Sequence, residues 1–266
     1  MEPLANIGVL AARAAGNYIM RNFDRADSLK IERKGKSDFV TQVDRGAEAE
    51  IVKIIRKHYP HHAILGEEGG ASGSDDEVRW VIDPLDGTTN FLHALPHFAV
   101  SIGVEVRGRL EHGVVYAPAT QDLYIASRGS GTTLNSKRIR VSKVKDLEDS
   151  LIGTGLPIRN PEMLDSYLPM LRRVAENTAG VRRAGSAALD LAYVAAGRLD
   201  GFFELNLKPW DIAAGIVLVQ EAGGVVTGLV AGEPMSHGHI LASNNKLIAS
   251  LKDTLGTYVA PQPLTA

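Results

Sequence analysis

Apolar side chains recur at helical spacing in two segments near the start of the chain. They fall every three or four positions through residues 4–23, and again through 44–59, where Pro60 follows. Such a stripe is typical of an amphipathic helix that buries one face, and a proline ends the second stripe. Between the two helices, alternation of apolar and polar residues at 29–32 predicts a short strand.

Short runs rich in Val and Ile alternate with turn residues in the middle of the chain. The runs at 63–65 and 78–82 are apolar enough to be buried strands. From Phe98 to Ser127, further short runs are separated by glycine- and proline-bearing turns, which predicts an antiparallel meander of roughly four strands. We therefore expect a first lobe of the α+β type that contains an antiparallel sheet.

The pattern changes in the second half of the chain. Helical periods return at about 161–178, 186–197 and 211–222, with short apolar runs between and after them. Alternating helices and strands are typical of an α/β lobe, so the sequence predicts two lobes, at 1–145 and 146–266. The strands predicted for the second lobe lie at 150–154, 201–204, 225–227 and 240–242.

Composition and charge exclude several classes of function. The 266 residues are 44% hydrophobic and 23% charged, which is the balance of an ordinary globular protein with a substantial core. A net charge of −2 argues against a general nucleic-acid binder, which needs a basic excess. Without cysteine there is no disulfide, thiolate metal site or cysteine nucleophile. Since we find neither a signal-peptide pattern nor an apolar run of about 18–20 residues, we expect a cytoplasmic protein that does not cross a membrane.

The most informative segment is residues 83–90, Asp-Pro-Leu-Asp-Gly-Thr-Thr-Asn, which follows the apolar run at 78–82. Asp83 and Asp86 place two carboxylates on one short segment, where they repel each other unless a cation lies between them. The glycine and two threonines after Asp86 offer backbone N–H groups and hydroxyls to a phosphate oxygen. The segment predicts a divalent-metal and phosphate site, although the same residues also suit a plain β-turn.

Further acidic residues could complete such a site. Glu67 and Glu68 follow a predicted strand in a glycine-flanked turn, where a solvated acidic loop is the alternative. Asp44 and Asp211 each begin a predicted helix, where an N-cap role is the alternative. Hard cations such as Mg²⁺ choose oxygen ligands, and the scattered histidines disfavour zinc. The oxygen donors available to Mg²⁺ are Glu67, Asp83, the Leu85 carbonyl, Asp86 and Asp211.

Four segments, in the right order, resemble motifs of the inositol monophosphatase family. They are residues 66–68, 80–91, 182–190 and 209–215, and the likeness extends over nearly the whole chain. Motifs of serine hydrolases and of nucleotide-binding loops are missing from the sequence. The resemblance implies a mixed α/β fold, a layered α/β/α/β/α sandwich of the inositol monophosphatase and fructose bisphosphatase type.

The resemblance also implies an activity, the release of phosphate from inositol 1-phosphate by water that Mg²⁺ activates. Two to three Mg²⁺ ions are implied. Glu67, Asp83 and the Leu85 carbonyl would hold the first ion, and Asp83, Asp86 and Asp211 would hold the second. Glu67 would also support a third ion through water.

By the same resemblance, catalytic and substrate-binding roles fall on residues of both lobes. Asp44 and Thr88 would orient the attacking water, and Glu67 joins them as a catalytic residue. A lysine-bearing loop of the family corresponds to residues 33–36, where Lys34 is preferred and Lys36 is the alternative. The residues that would bind the phosphorylated polyol are Lys34, Asp86, Gly87, Thr88, Thr89, Arg182, Ala187, Glu204 and Asp211.

Other functions stay open on the same scaffold. A sugar bisphosphatase or a nucleotide 3′-phosphatase would use the same metal site with a different pocket. A bacterial branch of the family is linked instead to ribosomal RNA transcription, as a partner of antitermination factors and RNA polymerase that need not be catalytic. The family commonly forms homodimers, which we also expect here.

Overall fold

The computed structural model describes residues 2–23, 31–35, 38–75 and 77–256, with the backbone alone for 31–35 and 38–40. In this part of the chain, eight α-helices accompany two mixed sheets and a small hairpin. The helices are α1 (Pro3–Phe23), α2 (Gln42–His58), α3 (Thr88–Leu92), α4 (Leu164–Asn177), α5 (Ala187–Ala195), α6 (Pro209–Glu221), α7 (Pro234–His237) and α8 (Ile248–Leu255).

The strands fall into three groups. The hairpin consists of β1 (Ile31–Gly35) and β2 (Asp38–Thr41). The eight-stranded sheet has the order β10-β9-β8-β7-β6-β5-β3-β4, and the five-stranded sheet has the order β12-β11-β13-β15-β14. Their bounds are β3 (Ala63–Gly66), β4 (Gly70–Ser72), β5 (Val78–Asp86), β6 (Ala99–Val106), β7 (Arg109–Ala117), β8 (Asp122–Ser127), β9 (Gly131–Leu134), β10 (Lys137–Arg138), β11 (Leu151–Thr154), β12 (Gly180–Arg182), β13 (Gly201–Glu204), β14 (Gly224–Gly228) and β15 (Ile240–Asn244).

The elements stack in five layers, α/β/α/β/α, which confirms the predicted sandwich. Helices α1 and α2 pack on one face of the eight-stranded sheet, and α5 and α6 lie between the two sheets. Helices α4 and α8 cover the outer face of the five-stranded sheet. Three clusters of buried apolar side chains fill the spaces between layers, with Trp80, Leu191 and Phe203 as members of one cluster each. Removing this apolar surface from water is the main force that holds the layers together.

Parallel pairing of β3 with β5 brings two of the predicted site segments together. Gly66 pairs with Ile82, so both strands end at the same edge of the sheet. The Glu67 N–H then donates to the Ile82 carbonyl at 3.1 Å. The turn that carries Glu67 therefore begins beside Asp83, although many residues separate them in the chain.

Two glycines let α6 approach the eight-stranded sheet closely. A Cβ at Gly103 on β6 would lie 2.6 Å from the Ala213 Cβ, and one at Gly113 on β7 would lie 2.4 Å from the Ala214 carbonyl oxygen. These alanines belong to the first turns of α6, just after Asp211. The small residues on the sheet therefore determine how near Asp211 comes to the first lobe.

The helices predicted at the start of the chain are confirmed, while the meander is partly wrong. Within 98–127 the structure has three strands, β6 to β8, rather than four, and β9 and β10 continue the meander beyond it. The reason is that this stretch contains two turns, at 107–108 and 118–121, and two turns separate only three strands. Helix α8 has no counterpart among the predicted elements. Of the strand predicted at 29–32, residues 31–32 lie in β1, and the rest lies outside the described residues.

The predicted boundary between lobes falls between the two sheets. One cluster of buried side chains nevertheless runs from Val81 in β5 to Ile240 in β15, because α5 and α6 pack on both sheets. The two lobes therefore share a core, and the division at 145 stays a prediction. No helix in the described part of the chain has the length and apolar character needed to cross a bilayer.

Candidate functional site

Strand β5 ends in the two aspartates of the 83–90 segment. Asp83 is 1% exposed, and its Oδ1 accepts a hydrogen bond from the Leu85 N–H at 2.9 Å. The pairing of β5 with β6 shifts between Asp83 and Asp86, which indicates a bulge. Gly87 follows with a φ of 96°, a left-handed conformation that glycine adopts without strain. The segment is strand as far as Asp86 and helix from Thr88, so the plain-turn alternative describes only Gly87.

Asp86 connects β5 to α5 of the second lobe. Its Oδ2 accepts hydrogen bonds from the Ser186 hydroxyl at 2.6 Å and from the Ala188 N–H at 2.8 Å. Ser186 is also the N-cap of α5, since its Oγ accepts from the Leu189 N–H at 3.4 Å. A carboxylate is stabilised here, because the first turn of a helix presents unpaired N–H groups and a partial positive charge.

Asp44 and Asp211 occupy equivalent places in two helices. Each is the third residue of its helix and accepts a hydrogen bond from the N-cap backbone, from Thr41 at 2.8 Å and from Lys208 at 2.6 Å. Neither acid is itself the N-cap residue, so the N-cap alternative is wrong for both. Each folds back onto the cap residue and satisfies its N–H group, as the acid of a capping box does.

Thr88 connects α3 to the start of α2. Its hydroxyl lies 2.9 Å from Asp44 Oδ1 and 3.1 Å from the Leu85 carbonyl oxygen, and its one hydrogen can be donated to only one of them at a time. The Thr41 hydroxyl donates to Asp44 Oδ2 at 2.6 Å, so both oxygens of Asp44 have partners. Burial raises the pKa of Asp44, against the lowering effect of these hydrogen bonds. The predicted pair of Asp44 and Thr88 is thus brought into hydrogen-bond contact.

The carboxyl groups at the end of β5 interact electrostatically with those of Glu67 and Asp211. Burial raises the pKa of Asp83 well above its usual value, and the charges of Glu67, Asp86 and Asp211 raise it further. Burial also raises the pKa of Asp211 to about 8, with Asp86 and Glu67 adding to the shift. The pKa of Asp86 rises to about 6 through burial, which the hydrogen bonds at its Oδ2 partly oppose. Carboxyl groups from three separate segments are therefore close enough to destabilise one another's charge.

Glu204 ends β13 and approaches the same acids from the second sheet. Burial raises the pKa of Glu204 well above its usual value, and among neighbouring charges Asp190 adds the most. The Glu204 carboxyl group packs on Gly155, where a Cβ would lie 1.9 Å from Oε1, so only glycine leaves room for it. Ala187, the other residue predicted to face the polyol, is buried in the first turn of α5.

Arg159 acts on the site from a loop that the sequence does not single out. Its positive charge lowers the pKa of both Asp86 and Asp211. The loop is tied to the segment before α6, since Asn206 Nδ2 donates to Asn160 Oδ1 at 2.8 Å. No sequence motif marks Arg159, because it comes near Asp86 and Asp211 only when the chain has folded.

Arg182 ends β12, an edge strand of the five-stranded sheet. It is exposed, and its Nη1 donates to the Val181 carbonyl at 3.0 Å. The arginine whose charge lowers the pKa of Glu204 is the next residue, Arg183. Neighbouring residues at a strand end point in different directions, which sequence alone could not resolve.

The remaining predicted substrate contacts are Thr89, Lys34 and its alternative Lys36. Thr89 is exposed in the first turn of α3, directly after Thr88. Lys34 lies in β1, where the backbone alone is described, and Lys36 lies outside the described residues. The choice between the two lysines stays a prediction.

The acids suit a hard divalent cation in chemistry, but they do not enclose one as they stand. In the described part of the chain, no three acidic or histidine side chains are arranged so that they could hold a metal ion. Asp83, Asp86 and Asp211 each turn one oxygen toward a backbone N–H. Each carboxyl group has a second oxygen, and an all-oxygen set of mutually repelling acids fits Mg²⁺.

Several proteins resemble this chain over nearly its whole length. The Nus factor SuhB of Pseudomonas aeruginosa is 52% identical over 267 residues, which cover 98% of each chain. The crystal structure of the extragenic suppressor protein suhB from Bartonella henselae is 43% identical and covers 97% of this chain and 100% of its own, with a TM-score of 0.92. The structure of an inositol monophosphatase from Anabaena is 38% identical and covers 97% of this chain and 96% of its own, with a TM-score of 0.81.

The family assignment follows from sequence and fold together. A model described as the inositol monophosphatase family matches residues 1–260. The five-layer sandwich and the motifs at 66–68, 80–91, 182–190 and 209–215 agree with that match. The chain belongs to the inositol monophosphatase family.

Proposed function

We propose that the protein is a Mg²⁺-dependent phosphate monoester hydrolase that releases phosphate from inositol 1-phosphate. The observation that carries the proposal is the mutual repulsion of carboxyl groups around Asp83, which is 1% exposed. Gathering like charges in one buried place is unfavourable unless a cation neutralises them. Membership of the inositol monophosphatase family supports the same chemistry.

The residues that would hold Mg²⁺ are Glu67, Asp83, the Leu85 carbonyl, Asp86 and Asp211. When bound, Mg²⁺ supplies positive charge that makes water more acidic and stabilises the charge of the phosphate and of the leaving oxygen. The backbone that carries these ligands is already fixed, since α5 holds Asp86 and the start of α6 holds Asp211. These contacts hold the segments that carry Asp86 and Asp211 in place without an ion.

Asp44 and Thr88 would orient the attacking water. Asp44 accepts from the Thr88 hydroxyl at 2.9 Å, which leaves a lone pair of that hydroxyl for a proton of the water. Thr41 holds the other oxygen of Asp44 and so limits rotation of its carboxyl group. Because water would attack phosphorus directly, no Ser or His nucleophile is required.

The two ends of the substrate would meet different elements. Backbone N–H groups of residues 87–89 would bind phosphate oxygens, as N–H groups at the start of a helix commonly do. Inositol carries no charge beyond its phosphate, so its hydroxyls would be recognised by an acceptor such as Glu204, with Ala187 packing beside it. Within the enzyme class, a sugar bisphosphatase or a nucleotide 3′-phosphatase is the alternative.

A substrate panel tests the proposal. Phosphate release by the full chain is measured with inositol 1-phosphate, fructose 1,6-bisphosphate and 3′-AMP, each in Mg²⁺ and in EDTA. We expect release that depends on Mg²⁺ and is fastest with inositol 1-phosphate. Faster turnover of another member of the panel would reassign the substrate, whereas no Mg²⁺-dependent release from any of them would refute the enzyme.

We also propose a binding role in transcription antitermination, with antitermination factors and RNA polymerase as partners. The support is that the relative in Pseudomonas aeruginosa is named a Nus factor and matches over 98% of its length. Complementation separates the two roles. If Asp83→Asn restores an antitermination reporter in cells that lack the protein, binding is the cellular task. If wild type restores the reporter and the variant does not, catalysis is needed.

Two further proposals are a homodimer, which the family resemblance implies, and a cytoplasmic location, which the sequence pattern suggests. Light scattering of the purified protein tests the first, and the mass of a single chain would contradict it. Cell fractionation tests the second, and recovery of the protein outside the cytoplasmic fraction would contradict it.

A further inference from the structure

The loop that follows β11, residues 155–160, begins at the acidic site. Strands β11 and β13 run parallel with Thr154 beside Phe203, so Gly155 and Glu204 follow at the same edge of the five-stranded sheet. A Cβ at Gly155 would lie 1.9 Å from Glu204 Oε1, which shows how closely the loop passes this acid. Ligands commonly bind at the carboxyl ends of parallel strands, so the loop starts where a substrate would be expected.

The far end of the loop is anchored to the segment before α6. Asn206 Nδ2 donates to Asn160 Oδ1 at 2.8 Å, and two residues further on the Lys208 N–H donates to Asp211 Oδ2 at 2.6 Å. Within the loop, turns are closed by backbone hydrogen bonds of 2.7 and 3.0 Å. Both ends of the loop are therefore fixed next to acids of the site, and Arg159 lies between the two anchors.

Arg159 brings a permanent positive charge to this place. Its side chain is exposed, and its charge reaches Asp86 and Asp211, the pKa of which it lowers. A guanidinium does not lose its proton in proteins, so this charge does not depend on the protonation of the acids around it. Gly87 follows Asp86 directly in the chain. An arginine that acts on Asp86 is thus near the turn whose N–H groups would bind phosphate.

The phosphate group is the part of the proposed substrate that suits Arg159. Inositol itself is uncharged, whereas a guanidinium offers parallel N–H groups that match two phosphate oxygens. An ion held by Asp86 and Asp211 would neutralise them and weaken their attraction for the arginine. The metal-loaded site would therefore favour an exchange of the guanidinium from these acids to an incoming anion.

We propose that Arg159 is a substrate-binding residue that holds the phosphate group from the side of the five-stranded sheet, while residues 87–89 hold it from the other side. The inference rests on the proposed phosphatase activity and deepens it. It adds to the predicted substrate contacts a residue on a loop that no sequence motif marks.

Calorimetric titration of the full chain with inorganic phosphate, in saturating Mg²⁺, tests this contact without turnover. We expect Arg159→Gln to weaken phosphate binding at least about tenfold, because charge-assisted hydrogen bonds are lost. The matched control is Arg172→Gln, since Arg172 is also exposed but pairs with Glu176 on α4 at 2.7 Å, and it should change binding less than about twofold. Equal effects of the two variants would refute the contact. So would a wild type that binds no phosphate at about 10 mM.

Steady-state kinetics separate a substrate contact from a structural effect. Arg159→Gln should raise KM for inositol 1-phosphate about tenfold and change kcat less than about threefold, since a contact made equally with substrate and transition state acts on KM alone. Arg159→Lys keeps the charge and should recover part of the lost affinity. A lysine variant as weak as the glutamine variant would contradict a role for the charge and overturn the proposal.

Mg²⁺ binding distinguishes failure of this inference from failure of the proposed function. Removing a positive charge near Asp86 and Asp211 should not weaken Mg²⁺ binding, which the rise of Tm with Mg²⁺ concentration measures. Weaker Mg²⁺ binding in Arg159→Gln would show damage to the acidic site and refute the phosphate contact. Phosphate release by the wild type with an unchanged KM in Arg159→Gln would refute the inference alone. If the wild type shows no Mg²⁺-dependent release, the phosphatase is refuted and the inference with it.

Discussion

At the end of β5, a single residue experiences the charge of three other acids. Asp83 is 1% exposed, and Glu67, Asp86 and Asp211 all act on its carboxyl group. A carboxyl group in this position destabilises the metal-free fold and favours the binding of a cation. Function and stability therefore oppose each other at this residue.

Replacing Asp83 by Asn tests that opposition. We expect phosphatase activity to fall at least about 100-fold, because the amide brings no negative charge to the ion. The Tm in EDTA should rise, since the variant removes a repelled carboxyl group while keeping its shape. Phosphate release and thermal unfolding measure the two effects, and near-normal activity would contradict the metal assignment.

The neighbouring acids Glu67 and Glu68 form a matched pair. The charge of Glu67 acts on both Asp83 and Asp211, whereas the Glu68 N–H donates to Glu48 Oε2 at 2.9 Å, on the side of α2. We expect Glu67→Gln to lower activity at least about tenfold and Glu68→Gln less than about threefold. Steady-state assays at fixed Mg²⁺ measure both, and equal losses would show that the wrong glutamate was assigned.

At the scale of elements, helix starts hold the acids in place. Asp44 folds back on Thr41 at the start of α2, Asp211 folds back on Lys208 at the start of α6, and Asp86 is bound by the start of α5. The start of a helix presents N–H groups that favour a carboxylate. Three helix starts therefore orient acidic side chains that would otherwise repel one another. Sequence periodicity predicted that these helices exist, but not which acid each start would bind.

The start of α2 can be tested by changing its cap. The Thr41 hydroxyl accepts from the Val43 N–H at 2.9 Å and donates to Asp44 at 2.6 Å, so Thr41→Val removes both bonds. We expect a loss of about 1 kcal/mol in the free energy of unfolding, as for other cap deletions, together with lower kcat. Urea unfolding and kinetics measure these, and Thr41→Ser, which keeps the hydroxyl, is the control. Normal kcat in Thr41→Val would show that Asp44 needs no such support.

The start of α5 offers a second test, on metal affinity. Ser186→Ala removes the hydroxyl that donates to Asp86 Oδ2 at 2.6 Å, which leaves the Ala188 N–H as its partner. We expect the Mg²⁺ concentration for half-maximal activity to rise about tenfold, as for other residues that orient a metal ligand. Ser186→Thr should behave like the wild type. An unchanged Mg²⁺ requirement in Ser186→Ala would place Asp86 outside the metal site.

For the whole molecule, the raised pKa values predict how stability depends on pH. A carboxyl group with a raised pKa in the folded state stabilises the fold at low pH, and that contribution is lost as pH rises through the folded pKa. Burial raises the pKa of Asp211 to about 8 and that of Asp83 well above its usual value, whereas an ordinary aspartate has a pKa of 3.8. In EDTA the folded state thus binds more protons than the unfolded chain over this range, so stability must fall with rising pH.

Thermal unfolding between about pH 7.5 and pH 9 tests this, because histidines are mostly neutral in both states there. We expect Tm in EDTA to fall across the range and Mg²⁺ to raise Tm most at the alkaline end. Asp211→Asn should flatten the fall, since it removes the carboxyl group that titrates near pH 8. A Tm in EDTA that rises with pH over this range would contradict the repulsion.

Several parts of the fold and the site could be read from the sequence because they depend on local spacing. The periods at 4–23 and 44–59 predicted α1 and α2, and the apolar run at 78–82 predicted the start of β5. The meander was miscounted because the stretch 98–127 contains two turns and therefore three strands, while β9 and β10 follow it in the chain. Arg159 could not be found at all, since a loop without a motif reaches Asp86 and Asp211 only after folding.

By itself, the sequence determined the family motifs, the candidate acids on short, glycine-flanked segments, and the two amphipathic helices at the start of the chain. The tertiary structure alone decided how those acids meet, which acid each helix start binds, and which of two adjacent arginines acts on Glu204. The physical reason is that helical period and turn preference are local properties, whereas repulsion between carboxyl groups depends on distances that only close packing of the five layers sets.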